Sequence, residues 1–327
     1  MSSPGGADNT MPDFDPYEHL HIARNPDGTI TRLLSPPLEE ANPDAITGAA
    51  SKDITINAEK QTWIRLFRPA KLPSNDNTVA RLPIVFNFHG GGFIYFSASM
   101  RESHNLSVSL ATEIPSIAVS VNYRLAPEHR LPAQYEDAID AILWVKQQFI
   151  DKNGEQWLKE YGDFSRCYIS GRGCGGNIAF HACIRSLDLD LTPLKISGLV
   201  MNQPMFGGLA RNKTELQHLE DPILPLSATD LIWELALPEG ADRDHPFSNP
   251  LSEGFHSKKV PLLGKCLVFG FCGDVMVERV QDFVTLLVMA GVKVQACLND
   301  DGFHNIDIVD KRWSRVFVDA VRAFINS

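Results

Sequence analysis

Five stretches of this chain are apolar almost without interruption: "LPIVFNFHGGGF", "SIAVSVNYRLAP", "RCYISGRG", "ISGLVMNQP" and "KCLVFGFCGD". A strand that alternates polar and apolar residues buries one face. A strand without alternation is buried on both, as in a mostly parallel sheet. Helical patterns fall between these runs, at about 101–113, 133–150, 176–187 and 276–290, and a last one at about 311–326. The alternation predicts an α/β fold with a mostly parallel central sheet and helices on both faces. Upstream, "DITINAEKQTWIRLFRP" alternates and reads as two antiparallel strands. "YEHLHIARNPDGTITRLL" fits a short helix and then a strand around the Pro26-Asp27-Gly28 turn, and residues 71–80 read as a surface loop. Between Pro204 and Pro261 the pattern breaks into prolines, charges and one helix near "ATDLIWELAL". A helical cap is expected there, at about 205–260, joined by the N-terminal segment. Residues 1–16 are expected to be disordered and 17–327 to form a single domain.

The formal net charge of −10 argues against a nucleic-acid or anionic-membrane partner. No apolar run is long enough to span a bilayer. The stretch "MSSPGGADNTMPDFDP" lacks the basic region and apolar core of a secretory signal, so a cytoplasmic location is expected. Six cysteines, Cys167, Cys174, Cys183, Cys266, Cys272 and Cys297, show no C-x-x-C spacing and no His/Cys cluster. They read as reduced thiols, with no metal and no cofactor implied.

In parallel sheets, ligands sit at the carboxyl ends of the strands. Four features fall there. His89-Gly90-Gly91-Gly92 follows the first run, and its glycines let backbone N–H groups approach a ligand oxygen. "YISGRGCGGNIAFHA" is a strand, a glycine turn and a helix, the outline of the nucleophile elbow G-x-S-x-G. Its middle residue, where the attacking serine belongs, is Gly173. Asp274 ends "KCLVFGFCGD", and His304 follows the strand "VKVQACL". Elbow, Asp, His is the chain order of α/β-hydrolase triads.

These residues resemble the plant class I carboxylesterases, in the hormone-sensitive-lipase-like branch of the α/β hydrolases. "FHGGGF", "NYRLAPEHRLPAQYEDA", "GGNIAFHA", "GADRDH…NP" and "GD…DGFH" carry the resemblance, from about Tyr17 to the C-terminus. It implies the α/β-hydrolase fold, a cap that includes the N-terminal segment, and Ser-Asp-His ester hydrolysis. Asp274 and His304 match the family's acid and base; Gly91, Gly92 and Cys174 match its oxyanion donors. The family's elbow reads G-D/E-S-A-G-G-N, and this one reads G-R-G-C-G-G-N. Asn122 stands where the family has Asp.

Without a hydroxyl at Gly173 the acyl-enzyme route is closed. Cys174 is one residue off, and its thiol is expected to point away from the position of attack. Arg172 reads as an exposed or ion-paired residue, or one facing the pocket mouth. His181 is expected to pack on its helix, His89 to brace its own loop, and Arg124 and Glu128 to order theirs. His304 and Asp274 are either a working dyad or a remnant tying two loops. A working dyad opposite an oxyanion hole suits proton abstraction beside a carbonyl, and so elimination, rearrangement or cyclisation. The resemblance points the same way, since relatives of the family include dehydratases and alkaloid cyclases of plant specialised metabolism. The leading expectation is therefore a non-hydrolytic enzyme acting on a small apolar metabolite. The alternatives are a receptor-like binding protein, as the gibberellin receptors are, and a weak ester hydrolase with His-activated water. Oligomeric state is not legible.

Overall fold

Each residue of Leu82–Phe88 is buried, as a strand covered on both faces must be. The structure is a computed structural model describing residues 14–75, 78–252, 254 and 256–327. This strand is the third in chain order of the eight that form the main sheet. They are β1 (Ala49–Asn57), β2 (Thr62–Pro69), β3 (Leu82–Phe88), β4 (Ile117–Asn122), β5 (Gly162–Arg172), β6 (Ile196–Asn202), β7 (Lys265–Phe271) and β8 (Val294–Asn299). Their spatial order is β1-β2-β4-β3-β5-β6-β7-β8. β2 alone runs against the rest, antiparallel to both β1 and β4. The other neighbours are parallel. After β3 the chain moves outward to β4 and then returns to lay β5 on the other side of β3. That reversal is a topological switch point, where a crevice opens beyond the carboxyl ends of two adjacent strands.

The longer helices are α1 (Arg101–Glu113), α2 (Ala133–Ile150), α3 (Cys174–Ser186), α4 (Leu226–Ala236), α5 (Val277–Met289) and α6 (Lys311–Asn326). The period of two along a strand divides the core between them. Ile84, Phe86 and Phe88 of β3 join one apolar cluster with α2, α3 and α5. Val85 joins the other, with Leu110 of α1 and Phe317, Val321 and Phe324 of α6. Each fully buried side chain of this size contributes about 1.5–3 kcal/mol, so the two clusters hold the strand ends in fixed relation.

The helix boundaries at 101–113, 133–150 and 311–326 fall where the periodicity placed them, and α3 starts two residues earlier than expected, at Cys174. Two expectations need correction. The segment 71–80 is not wholly loop: Ser74–Asn75 pairs with Thr78–Val79, while residues 76 and 77 lie outside the described residues. The expected disordered tail runs too far. Residues 1–13 lie outside the described residues, but Asp15 caps a one-turn helix, Pro16–His19, by accepting from the Tyr17 N–H at 2.8 Å. An N-cap carboxylate satisfies one of the N–H groups a helix start leaves open. A small ribbon follows, Ile22–Arg24 against Ile30–Arg32. Within the expected cap, the buried Trp233 of α4 meets the Phe93 ring at 5.5 Å. Glu215 accepts two hydrogen bonds from Arg279 of α5, each 2.9 Å, tying this segment to the sheet layer. Among the described residues, no helix is long and apolar enough to cross a membrane.

Candidate active site

The switch-point crevice receives the loop after β3 and the turn from β5 into α3. That turn is built on three glycines of unequal freedom. A Cβ on Gly171 would fall far inside contact distance of the Gly175 carbonyl, and one on Gly175 would do the same at the Phe88 carbonyl. Neither position admits a side chain. Gly173 sits at φ 54 and ψ −123, a region that favours glycine. A Cβ there would meet one heavy atom within 4 Å outside its own stretch of chain, Nε2 of His304 at 3.8 Å. The Gly173 backbone is fixed on both sides: its N–H donates to the Asn202 carbonyl and its carbonyl accepts from the Met205 N–H, each at 2.9 Å.

His304 and Asp274 come from the loops after β8 and β7. Nδ1 of His304 lies 2.8 Å from Oδ2 of Asp274, and the two residues are 6 % and 2 % exposed. A carboxylate oxygen accepts, so Nδ1 donates, and a neutral ring turns the lone pair of Nε2 toward Gly173. Asp274 also accepts from the Met276 N–H at 3.0 Å and from Nε2 of Gln203 at 2.8 Å. Gln203 does more. Its Nε2 donates to the Phe303 carbonyl at 3.1 Å and its Oε1 accepts from the Asn305 N–H at 3.0 Å. It clamps the aspartate loop to the histidine loop. Sequence reasoning missed it, although its place directly after the run "ISGLVMN" is a strand-end position like the other four features.

The glycine loop is held by sterics from beneath. Gly91 has φ 107, and a Cβ there would press on the Tyr95 carbonyl and come within 2.7 Å of Phe96 Cδ2. Gly92, at φ 60, would place a Cβ 3.0 Å from Ile232 of α4. The Cys174 N–H opens α3 and is one of the donors that a helix start leaves without an intrahelical partner. His89 stacks on Tyr123 with ring centroids 4.2 Å apart, and its Nδ1 bonds the Gly90 carbonyl at 2.8 Å. The Tyr123 hydroxyl donates to the His89 carbonyl at 2.7 Å. Burial pushes the His89 pKa down to about 4. The Cys174 thiol points below the loop, where it accepts the Phe93 N–H at 3.1 Å, and burial pushes its pKa up to about 11. It is no nucleophile for the crevice.

The remaining polar residues order the surroundings. Arg172 forms an ion pair with the fully buried Asp307 carboxylate, which also accepts from Asn202 at 2.8 Å. The Arg172 side chain is 11 % exposed, so the exposed reading of it falls and the ion-paired one stands. Arg124 grips the buried Asp137, Glu128 grips Arg32, and His181 stacks on Tyr135 at 4.3 Å.

Gly91, Gly92, Gly173, Cys174 and His304 together line one cavity of about 190 Å³, with Asp274 behind His304. The other walls are largely apolar: Leu20, Ile94, Met205, Ile223, Leu224 and Ile232 take part. His19 and His21 bring two more imidazoles from the N-terminal segment, and His19 Nε2 reaches the Ile223 carbonyl at 3.2 Å. Neither histidine was singled out by the sequence pattern. No Asp, Glu, Lys or Arg is among the described residues that line the cavity. Among the described residues, no group of three or more His, Cys, Asp or Glu is placed to hold a metal ion.

The family model described as alpha/beta hydrolase fold matches residues 85–307. The chain is 54 % identical over 321 residues to probable carboxylesterase 9 of Arabidopsis thaliana, covering 97 % of this chain and 99 % of that protein. It is 42 % identical over 317 residues to a 3-O-acetylpapaveroxine carboxylesterase of Papaver somniferum, covering 95 % and 99 %. Among solved structures, a fungal esterase from Rhizomucor miehei superposes with a TM-score of 0.73 at 19 % identity, over 86 % of this chain and 84 % of that one. A hyperthermophilic esterase from the archaeon Pyrobaculum calidifontis gives 0.69 at 23 % identity, over 86 % of both chains. At such identities these structures speak for the fold alone.

Proposed function

The chain belongs to the α/β-hydrolase family, among the plant carboxylesterases, and on that premise we propose that it performs proton-transfer chemistry without a covalent intermediate. Its substrate is a small, largely apolar plant metabolite carrying a carbonyl, and the reaction is an elimination, rearrangement or cyclisation. One observation supports this reading. Gly173, at the middle of the elbow pattern, has no side chain, and His304 Nε2 lies 3.8 Å from where its Cβ would stand, in a cavity both residues line. A substrate C–H can then occupy the place of the serine O–H.

In the elimination form, the substrate carbonyl oxygen accepts from the N–H groups of Gly91, Gly92 and Cys174. His304 Nε2 removes the proton beside the carbonyl, and the electron pair moves onto oxygen as an enolate. Asp274 fixes the ring and stabilises the imidazolium. The enolate collapses, a double bond forms, and the group on the next carbon leaves with the proton returned by His304. A positioned base supplies roughly 10²–10⁴ in rate, and each well-aimed donor in a dry site about 3 kcal/mol at the transition state. The walls around these donors are largely apolar.

A second reading has an observation of its own: the cavity of about 190 Å³ that Gly173 and His304 line has room for a water molecule. His304 would then activate water directly for slow ester hydrolysis, nearer to what the relatives' names describe.

Incubation of the purified protein with fractionated plant extract in ¹⁸O-labelled water, read by mass spectrometry, separates these. A mass lost and a new one formed without ¹⁸O, both absent in His304→Ala, is the expected result. Product that carries ¹⁸O at a new acid group assigns the hydrolase. A metabolite retained unchanged by both proteins refutes catalysis and leaves a binding protein.

A further inference from the structure

A second, smaller cavity of about 50 Å³ lies behind the glycine loop and shares Gly90, Gly91, Phe96 and Asn305 with the first. Its polar lining includes Asn87 in β3, His89 after it, Glu102 in the first turn of α1 with Ser103 beside it, Arg172 at the end of β5, and Asn305. Asn87 and His89 are 1 % and 3 % exposed. Five side-chain atoms of four of these residues are buried without a protein partner among the described residues: Asn87 Oδ1 and Nδ2, His89 Nε2, Glu102 Oε2 and Arg172 Nε. Buried polar atoms are paired in more than about nine cases in ten. These five atoms belong to four residues that line one small cavity, and a ligand there would pair them.

The chemistry of the five atoms selects that ligand. The Gly90 carbonyl only accepts, so His89 Nδ1, 2.8 Å away, carries the ring hydrogen. His89 Nε2 is then an acceptor. Asn87 Oδ1 and Glu102 Oε2 also accept, while Asn87 Nδ2 and Arg172 Nε donate. A metal cation would meet the guanidinium and the amide N–H. An anion would meet the carboxylate and the imidazole lone pair. Water donates and accepts, and bridges both kinds. A cavity needs about 10–15 Å³ of water-accessible space to hold one molecule, which makes two to four hydrogen bonds, so this one has room.

We infer that this cavity is a built water site: ordered water joins Asn87, His89, Glu102 and Arg172 behind Gly90 and Gly91. The guanidinium of Arg172 thereby has two duties. Its Nη2 pairs with Asp307, and its Nε holds the water that backs the glycine loop. The unusual elbow residue is part of the loop's support, whatever reaction the first cavity performs.

A crystal structure of the whole chain, at a resolution that shows ordered solvent, tests this. Density refining as fully occupied water within hydrogen-bonding reach of Asn87 and His89 Nε2 is expected, unchanged in crystals soaked in rubidium bromide. A dry cavity overturns the inference, and so does an anomalous peak for bromide or rubidium inside it. In solution, ¹⁵N spectra of histidine-labelled protein should show His89 as the Nδ1–H tautomer with Nε2 accepting a hydrogen bond. An Nε2–H tautomer removes the acceptor and overturns the inference independently. Neither measurement depends on the function proposed above.

Discussion

A serine at position 173 would place its Cβ 3.8 Å from His304 Nε2, with no other heavy atom within 4 Å outside its own turn. One bond further out, its hydroxyl comes within hydrogen-bonding reach of that nitrogen. The backbone already has the strained conformation an elbow serine needs, φ 54 and ψ −123. Holding a non-glycine residue there costs roughly 1–3 kcal/mol, a few degrees in Tm for a protein of this size. Gly173→Ser is therefore expected to fold, to melt a few degrees lower, and to gain what triad enzymes lose without their serine, up to on the order of 10⁶-fold in turnover. The assay is hydrolysis of p-nitrophenyl acetate, with labelling by a fluorophosphonate as the test of nucleophilicity. The parent should not label, and the variant should take one label per chain at residue 173. A variant that keeps its circular-dichroism spectrum and melts cooperatively, yet neither labels nor hydrolyses, would refute the reasoning. In that case His304, Asp274 and the three N–H groups are not arranged as a catalytic set.

Burial lowers the His89 pKa from 6.5 to about 4. Between those values the unfolded chain binds a proton that the folded one refuses. The stability due to the neutral ring is complete above about pH 6.5 and is lost as pH falls toward 4, by about 3 kcal/mol in all. Urea unfolding across that range should show the loss, and His89→Gln should reduce it, the rest coming from other histidines that burial lowers, His181 among them; equal slopes in both proteins would contradict the assignment. Gly91→Ala meets the Tyr95 carbonyl at a positive φ, so it should destabilise by more than the roughly 1–3 kcal/mol of strain alone. Gly173→Ala, with room for its methyl, should lose less in the same thermal melt. Of six cysteines, Cys272 is exposed and Cys297 partly so, while the other four are buried. A chromogenic disulfide should react with at most those two in the native protein and with all six in denaturant.

The legible parts of this molecule were those with a local cause. Arg101–Glu113 shows its apolar spacing within its own thirteen residues, and the buried strands show continuous apolar runs. Asp274 and His304 were legible because strand ends are chemically privileged and each closes a glycine-containing motif. Gln203 was not. A glutamine after a strand acquires meaning when folding sets it between two loops about 70 and 100 residues away in sequence. Arg172 was legible only in part: ion pairing was among its expected roles, but its partner Asp307 lies 135 positions downstream, and nothing near residue 172 marks the pair as buried. His19 and His21 reach the cavity because the N-terminal segment folds back against the loop that holds Ile223. That contact depends on tertiary packing, on which single-strand periodicity is silent.

The three elbow glycines look interchangeable in the sequence, and the structure separates them. Gly171 and Gly175 exist so that β5, α3 and the end of β3 can approach closely; any side chain would collide with backbone that has nowhere to go. They serve the fold. Gly173 has room for a side chain and is limited by its backbone angle alone. Glycine at that position relieves strain and leaves the packing around it intact, so the fold does not depend on a side chain there. The same independence holds on the other side of the cavity. Asp274 is held by Met276 and Gln203, and the glycine loop by Tyr123, Tyr95 and Ile232. None of these contacts passes through residue 173. A nucleophile can therefore be absent here while the imidazole and the glycine loop keep their places. Under the proposed function, the chemistry of the site is set by what the imidazole and the glycine loop do to a substrate, and proton transfer needs nothing more.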